Sequence, residues 1–161
     1  MKKRFLVSVI AVAAMTMFTV SAVAQIKVSS FKLKPTMLFN SKDLYMSFTL
    51  TDGQKKAKYV RVEWCAVNRV GDVCQGLTTG LLLRKASSTG PFSAGKKYKR
   101  LANASFIGVE KVKAMPVSIN IEYMDGTDFE IDITKDNYKE FFPQLEWMDF
   151  TIPGEWKEEE E

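Results

Sequence analysis

Histidine is missing from this 161-residue chain, and cysteine occurs only twice. The first absence excludes Ser-His-Asp and Cys-His catalysis, histidine-ligated metals and the commonest general base. Two cysteines without a histidine make a poor zinc site, and the spacing from Cys65 to Cys74 is not the CxxC of thioredoxin-like redox centres. No G-x-S-x-G elbow, Walker A loop or G-x-G-x-x-G fingerprint occurs. Neither a metal nor a cofactor is expected. The 19 acidic residues leave open one catalytic chemistry, hydrolysis by paired carboxylates. Most of these acids fall on polar strand faces, in turns or near the C-terminus, where solvation is their ordinary role. The expectation is a protein without enzymatic activity.

Long apolar runs are also scarce. The one that exists, Phe5 to Val20, follows Lys2, Lys3 and Arg4 and ends in Ala22-Val23-Ala24, a small-x-small cleavage pattern. The run is short for a membrane span and has the three-part form of a secretory leader, so residues 1–24 read as a signal peptide. No cysteine follows the cleavage pattern, which argues against a lipid-modified N-terminus. The expected location is secreted or periplasmic, in a bacterium, with no integral membrane span after leader removal. Residues 25–153 read as one domain and residues 154–161 as an acidic disordered tail. Removing three basic residues with the leader from 23 leaves 20 bases against 19 acids. So balanced a chain outside the cytoplasm is not expected to bind nucleic acid.

Strict alternation dominates what remains. Leu44, Met46, Phe48 and Leu50 alternate with polar residues, and so do Val60, Val62, Trp64 and Ala66. Asp52-Gly53 lies between these runs and predicts a hairpin joining Asp43–Thr51 to Lys58–Val67. The device recurs in Val117, Ile119, Ile121 and Tyr123, the turn Asp125-Gly126-Thr127, then Phe129, Ile131 and Ile133. A first strand spans about Ile26 to Leu33, its apolar phase slipping between Val28 and Phe31 as a bulge requires. Gly76–Arg84 and Lys97–Phe106 are weaker strand candidates, and Ser87–Lys97 reads as loop by composition. One helical turn or two is expected at Tyr138–Phe142 before Pro143. The pattern predicts an all-β single antiparallel sandwich of about six or seven strands, with a small barrel as the alternative. Phe48, Val60, Val62, Trp64, Ile119, Ile121 and Ile131 are the expected core.

Four pieces occur in order: Tyr59-Val60-Arg61-Val62, Asn68-Arg69-Val70-Gly71-Asp72, Gly90-Pro91 with Gly95, and Ile121-Glu122-Tyr123-Met124-Asp125-Gly126. Together they resemble bacterial secreted and surface domains of unassigned activity, similar to fibronectin-III or immunoglobulin-like sandwiches. The resemblance covers about half of the chain after the leader. It implies a fold and an extracellular setting, and no reaction. The chain departs from it by placing Cys65 and Cys74 around the Asn68–Asp72 turn.

Two cysteines in one small exported domain are expected to pair. A Cys65–Cys74 disulfide closing a loop of about ten residues would add roughly 2–3 kcal/mol on the chain-entropy account, with free or intermolecular thiols as the alternative. Asn68, Gly71, Asp72, Asp125 and Gly126 read as structural turn residues, since Asn and Gly tolerate positive φ and Asn or Asp can bond nearby amides. Asp125, Asp128 and Asp132 lack EF-hand spacing, so turn formation is preferred to calcium binding. Lys55, Lys56 and Lys58 flank one turn, and Lys96, Lys97, Lys99 and Arg100 flank a loop. If they converge, they could hold an anionic envelope component or an acidic protein, with Phe92 and Tyr98 as apolar contacts. The expected function is a non-catalytic binding or surface-assembly module, with a carboxylate-dependent glycan hydrolase as the alternative.

Overall fold

The alternating runs form strands that bury the faces alternation assigns to the core. The computed structural model describes residues 25–35, 42–51, 53–75, 80–103 and 111–153; the expected leader and acidic tail lie outside them. The elements are β1 (Ile26–Pro35), β2 (Lys42–Leu50), β3 (Ala57–Val67), β4 (Val73–Cys74), β5 (Leu83–Phe92), β6 (Lys97–Asn103), β7 (Lys113–Tyr123), β8 (Asp128–Asp132) and α1 (Tyr138–Phe141). β1, β2 and β6 form a three-stranded sheet in that order. The second sheet runs β4-β3-β7-β8, with β5 also against β3. All these pairings are antiparallel. Among the described residues, eight strands in two sheets make the expected sandwich-like fold, β4 being a two-residue addition to the six or seven anticipated.

The expected first hairpin is absent. β2 belongs to the three-stranded sheet and β3 to the five-stranded one, so the connection after Leu50 crosses between layers. Leu44, Met46, Phe48 and Leu50 point inward from one sheet, and Val60, Val62 and Trp64 from the other. Facing layers bury both apolar faces against each other, which pairing within one sheet cannot do. The second hairpin forms as expected, with Ser118 opposite Asp132, Ile119 opposite Ile131 and Ile121 opposite Phe129. Gly126 at its tip has φ +84°.

Phe48, Val60, Val62, Trp64, Ile119 and Ile121 are buried; Ile131, on the edge strand β8, is half-buried. Each fully buried large side chain contributes about 1.5–3 kcal/mol, against about 1 kcal/mol at most for an exposed ion pair. The interior therefore decides stability, and the outward faces are open to other uses. The β1 bulge forms between Val28 and Ser30. The extra residue, Ser29, bonds the Ser47 hydroxyl at 3.0 Å.

Two segments differ from expectation. Ser87–Phe92 is not loop but the second half of β5, paired with β3. The expected helix forms at Tyr138–Phe141, but the chain beyond it was not anticipated: Phe141 and Phe142 are fully buried, and Leu145, Trp147, Met148 and Phe150 pack as a strap against Cys65, Val67 and Met115. Thr151 bridges to Asp72 at the strap's end.

Candidate functional site

The strand register sorts the charges onto two outward faces. On β1 the bulge returns Phe31 and Leu33 to the core side and sends Lys32 and Lys34 outward, joining Lys27. β2 places Asp43, Tyr45, Ser47 and Thr49 on the same outer face, and β6 adds Lys97 opposite Thr49 and Lys99 opposite Ser47. Five exposed lysines thus flank a polar central strand whose one acid is Asp43. Lys34 Nζ lies 3.9 Å from the centre of the Tyr45 ring, a cation–π contact. Among the described residues, none of these five lysines is in an ion pair with an acid.

The outer face of the five-stranded sheet has the opposite character. Its acids are Glu63, Glu122, Asp128, Glu130 and Asp132; its bases are Lys58, Arg61, Lys85 and Lys113, the last paired with Glu146 of the strap at 2.9 Å. Glu122 holds Lys58 at 3.0 Å and Arg61 at 3.1 Å, and Lys85 lies 3.8 Å from Glu63. The hydrogen bond from Lys58, then that from Arg61, holds the Glu122 carboxyl below its ordinary range, and Glu122 raises Lys58 in return. Asp128, Glu130 and Asp132 remain as an exposed row on β8, outside any ion pair among the described residues. Arg61, Glu63, Lys85, Ser118, Asn120 and Glu130 line a shallow basin of about 280 Å³. The apolar wall that turns a carboxyl into a general acid is missing from that lining.

The expected lysine groups do share one end of the sandwich. Gly95 N–H donates to Leu50 O at 3.0 Å, Ala57 lies opposite Phe92, and Met124 N–H donates to Lys56 O at 2.9 Å. Their roles divide, however. Lys55 donates to Thr127 Oγ1 at 2.8 Å and pairs with Asp125 at 3.3 Å, so it braces the β7–β8 turn. Lys58 is engaged by Glu122, while Lys56, Lys96, Lys97, Lys99 and Arg100 are exposed. Phe92 and Tyr98 do not serve as exposed partner contacts. Phe92 is only 7% exposed, and its ring lies 5.3 Å from Phe48 and 4.7 Å from Tyr98. The Tyr98 hydroxyl accepts the Ser93 N–H at 2.8 Å. Both rings seal the end of the core, because β5 continues inward where a loop was expected.

The turn residues work through backbone geometry. Asn68 Oδ1 accepts the N–H of Val70 at 3.0 Å and of Asp72 at 2.9 Å, closing the β3–β4 turn over Gly71 at φ +96°. A Cβ at Gly71 would lie 3.0 Å from the strap carbonyl of Asp149. Asp125 Oδ1 accepts the N–H and hydroxyl of Thr127, and the latter bond is the first cause of its lowered pKa.

The cysteines differ from expectation: both are free thiols. The register supplies the reason. Ala66, not Cys65, lies opposite Cys74, and successive strand residues point to opposite faces. Cys74 packs with Trp64 and Ala66 inside the sandwich, while Cys65 is buried on the other side beneath the strap. Burial pushes the Cys65 thiol up to about 12, and it also raises Cys74.

The sequence reading missed Lys27, Lys32 and Lys34, although Lys32 and Lys34 alternate visibly with Phe31 and Leu33. It read Asp125, Asp128 and Asp132 as a turn with an exposed strand face, and β8 presents Asp128, Glu130 and Asp132 as that face. No helix among the described residues is long and apolar enough to cross a membrane. No family model, curated protein or solved structure matches the chain.

Proposed function

We propose that the chain is a non-catalytic binding or surface-assembly module, exported by its N-terminal leader, that docks an anionic envelope component or acidic protein on the outer face of its three-stranded sheet. The observation that carries this reading is the outward set Lys27, Lys32, Lys34, Lys97 and Lys99, gathered by three antiparallel strands with one acid among them. Rigid strands hold the ammonium groups on a common plane, so an extended anion can meet several at once. Each exposed contact is weak and screened beyond about 10 Å at moderate salt, so attraction is salt-sensitive and grows with the number of charges engaged. Tyr45 and the lysine stems supply the apolar component first assigned to Phe92 and Tyr98.

The test is retention on an immobilised polyanion at low and high ionic strength, with Lys32→Glu/Lys97→Glu/Lys99→Glu beside wild type. Salt-dependent retention of wild type and its loss in the triple variant are expected. Equal retention of the two proteins would remove the face from consideration.

A carboxylate-dependent glycan hydrolase is the second reading, favoured by one observation: Glu63 and Glu130 line the same basin. It requires turnover of envelope glycans that Glu130→Gln abolishes.

A further inference from the structure

We infer that the acidic surface recognised by the lysine face is the β8 row of a second copy of this chain, so that copies stack front to back. This rests on the docking role proposed for that face and names its partner. Asp128, Glu130 and Asp132 project from alternate positions of an exposed edge strand. Lys97 and Lys99 on β6, and Lys32 and Lys34 on β1, project with the same alternate spacing. Alternate residues of a strand repeat every ~6.8 Å, so the acidic and basic rows match in period without adjustment. Both sets lack ion-pair partners within the described chain, whereas Glu63 and Glu122, also on the acidic side, are already engaged.

The sign pattern selects the geometry. A two-fold pairing of lysine faces, or of β8 rows, sets like charges opposite each other and is repelled. Only the unlike pairing attracts. The two faces belong to opposite layers of the sandwich, so using one leaves the other open. A contact between unlike patches that does not close into a ring continues as an open chain of copies. It should be weak, reversible and strongest at low salt, because it rests on exposed charge.

Sedimentation velocity of the full chain, over a range of concentrations at low and high ionic strength, tests this. Wild type should sediment faster with rising concentration at low salt and as a monomer at high salt. Asp128→Lys/Glu130→Lys/Asp132→Lys and Lys32→Glu/Lys97→Glu/Lys99→Glu should each lower the association constant by at least about tenfold. An equimolar mixture of the two variants should restore association, since one then carries two basic faces and the other two acidic ones. The restored mixture also shows that both variants are folded; Asp128→Asn/Glu130→Gln/Asp132→Asn serves as a milder variant. A wild type that stays monomeric at low salt, or a β8 variant that associates like wild type, overturns the inference. Polyanion retention separates it from the docking role: lysine-dependent retention by a monomeric protein sinks self-stacking alone, and lysine-independent retention sinks both.

Discussion

The two sheets are alike inside and opposite outside. Met46, Phe48 and Leu50 of the three-stranded sheet meet Val60, Val62, Ile119 and Ile121 of the five-stranded sheet in one apolar cluster, and Leu44 meets Trp64 and Ala66 in a second. Outward, the smaller sheet carries lysines outside any ion pair among the described residues, while the larger carries a stitched network around Glu122 and an acidic row on its edge. One alternating pattern thus encodes two independent things. Its apolar half specifies how the layers close. Its polar half specifies the charge each layer presents outward, and it can change sign without disturbing the first.

The comparison fails most completely if the layers come apart. Phe48→Ala should cost about 3–5 kcal/mol, because Phe48 is fully buried and joins the three-stranded sheet to Phe92 of the other. Denaturant unfolding measures it, and a loss below about 1 kcal/mol would show the layers are held elsewhere.

A smaller effect distinguishes the two sides of the five-stranded sheet. Cys65→Ser places a hydroxyl in the dry space beneath the strap and should cost about 1–3 kcal/mol; Cys74→Ser, half-buried, should cost less. Thiol labelling of native protein should modify Cys74 well before Cys65. A single linked peptide containing both cysteines, in protein purified without reductant, would contradict the free-thiol arrangement.

The smallest effect is one of pH, and it belongs to the five-stranded face alone. The Glu122 carboxyl sits below its ordinary value of 4.5 in the folded chain. Its contribution is therefore present above that value and lost as pH falls through the lower folded one. Lys58 is raised above 10.5, so its share persists below that value and is lost as pH rises past the folded one. Glu122→Gln should flatten the acid limb of a stability–pH curve and leave polyanion retention unchanged. An unaltered acid limb would show that the network is only geometric.

Alternation made the strands, the all-β class and most of the core legible in the sequence. Which sheet each strand joins was not legible, and the two Asp-Gly pairs show why. A turn signal is local. Asp125-Gly126 makes a hairpin because its flanking strands pair within one sheet, and Asp52-Gly53 does not because β2 and β3 must face each other across the core. Gly90-Pro91 misled in the opposite sense. A Cβ at Gly90 would lie 2.5 Å from Ala57 O, so this glycine marks a close approach of two strands and not a loop. Pro91 is tolerated because β5 pairs on one side only. The lysine face was hidden by the same locality. Residues clustered in sequence, Lys55–Lys58, brace a turn in part, while β1 and β6 bring distant lysines together.

The bulge at Ser29 has a consequence for how copies of this chain can meet. Without that residue, Ile26, Val28, Phe31 and Leu33 would alternate unbroken with polar residues along an edge strand of the three-stranded sheet. A long regular edge is a template on which any extended chain can add by backbone pairing, the route to aggregation. The extra serine spoils that template, its hydroxyl turned back onto Ser47, while the alternation on either side of it still sends the lysines outward. The bulge thus guards the margin of the sheet while its lysines stay on the outer face.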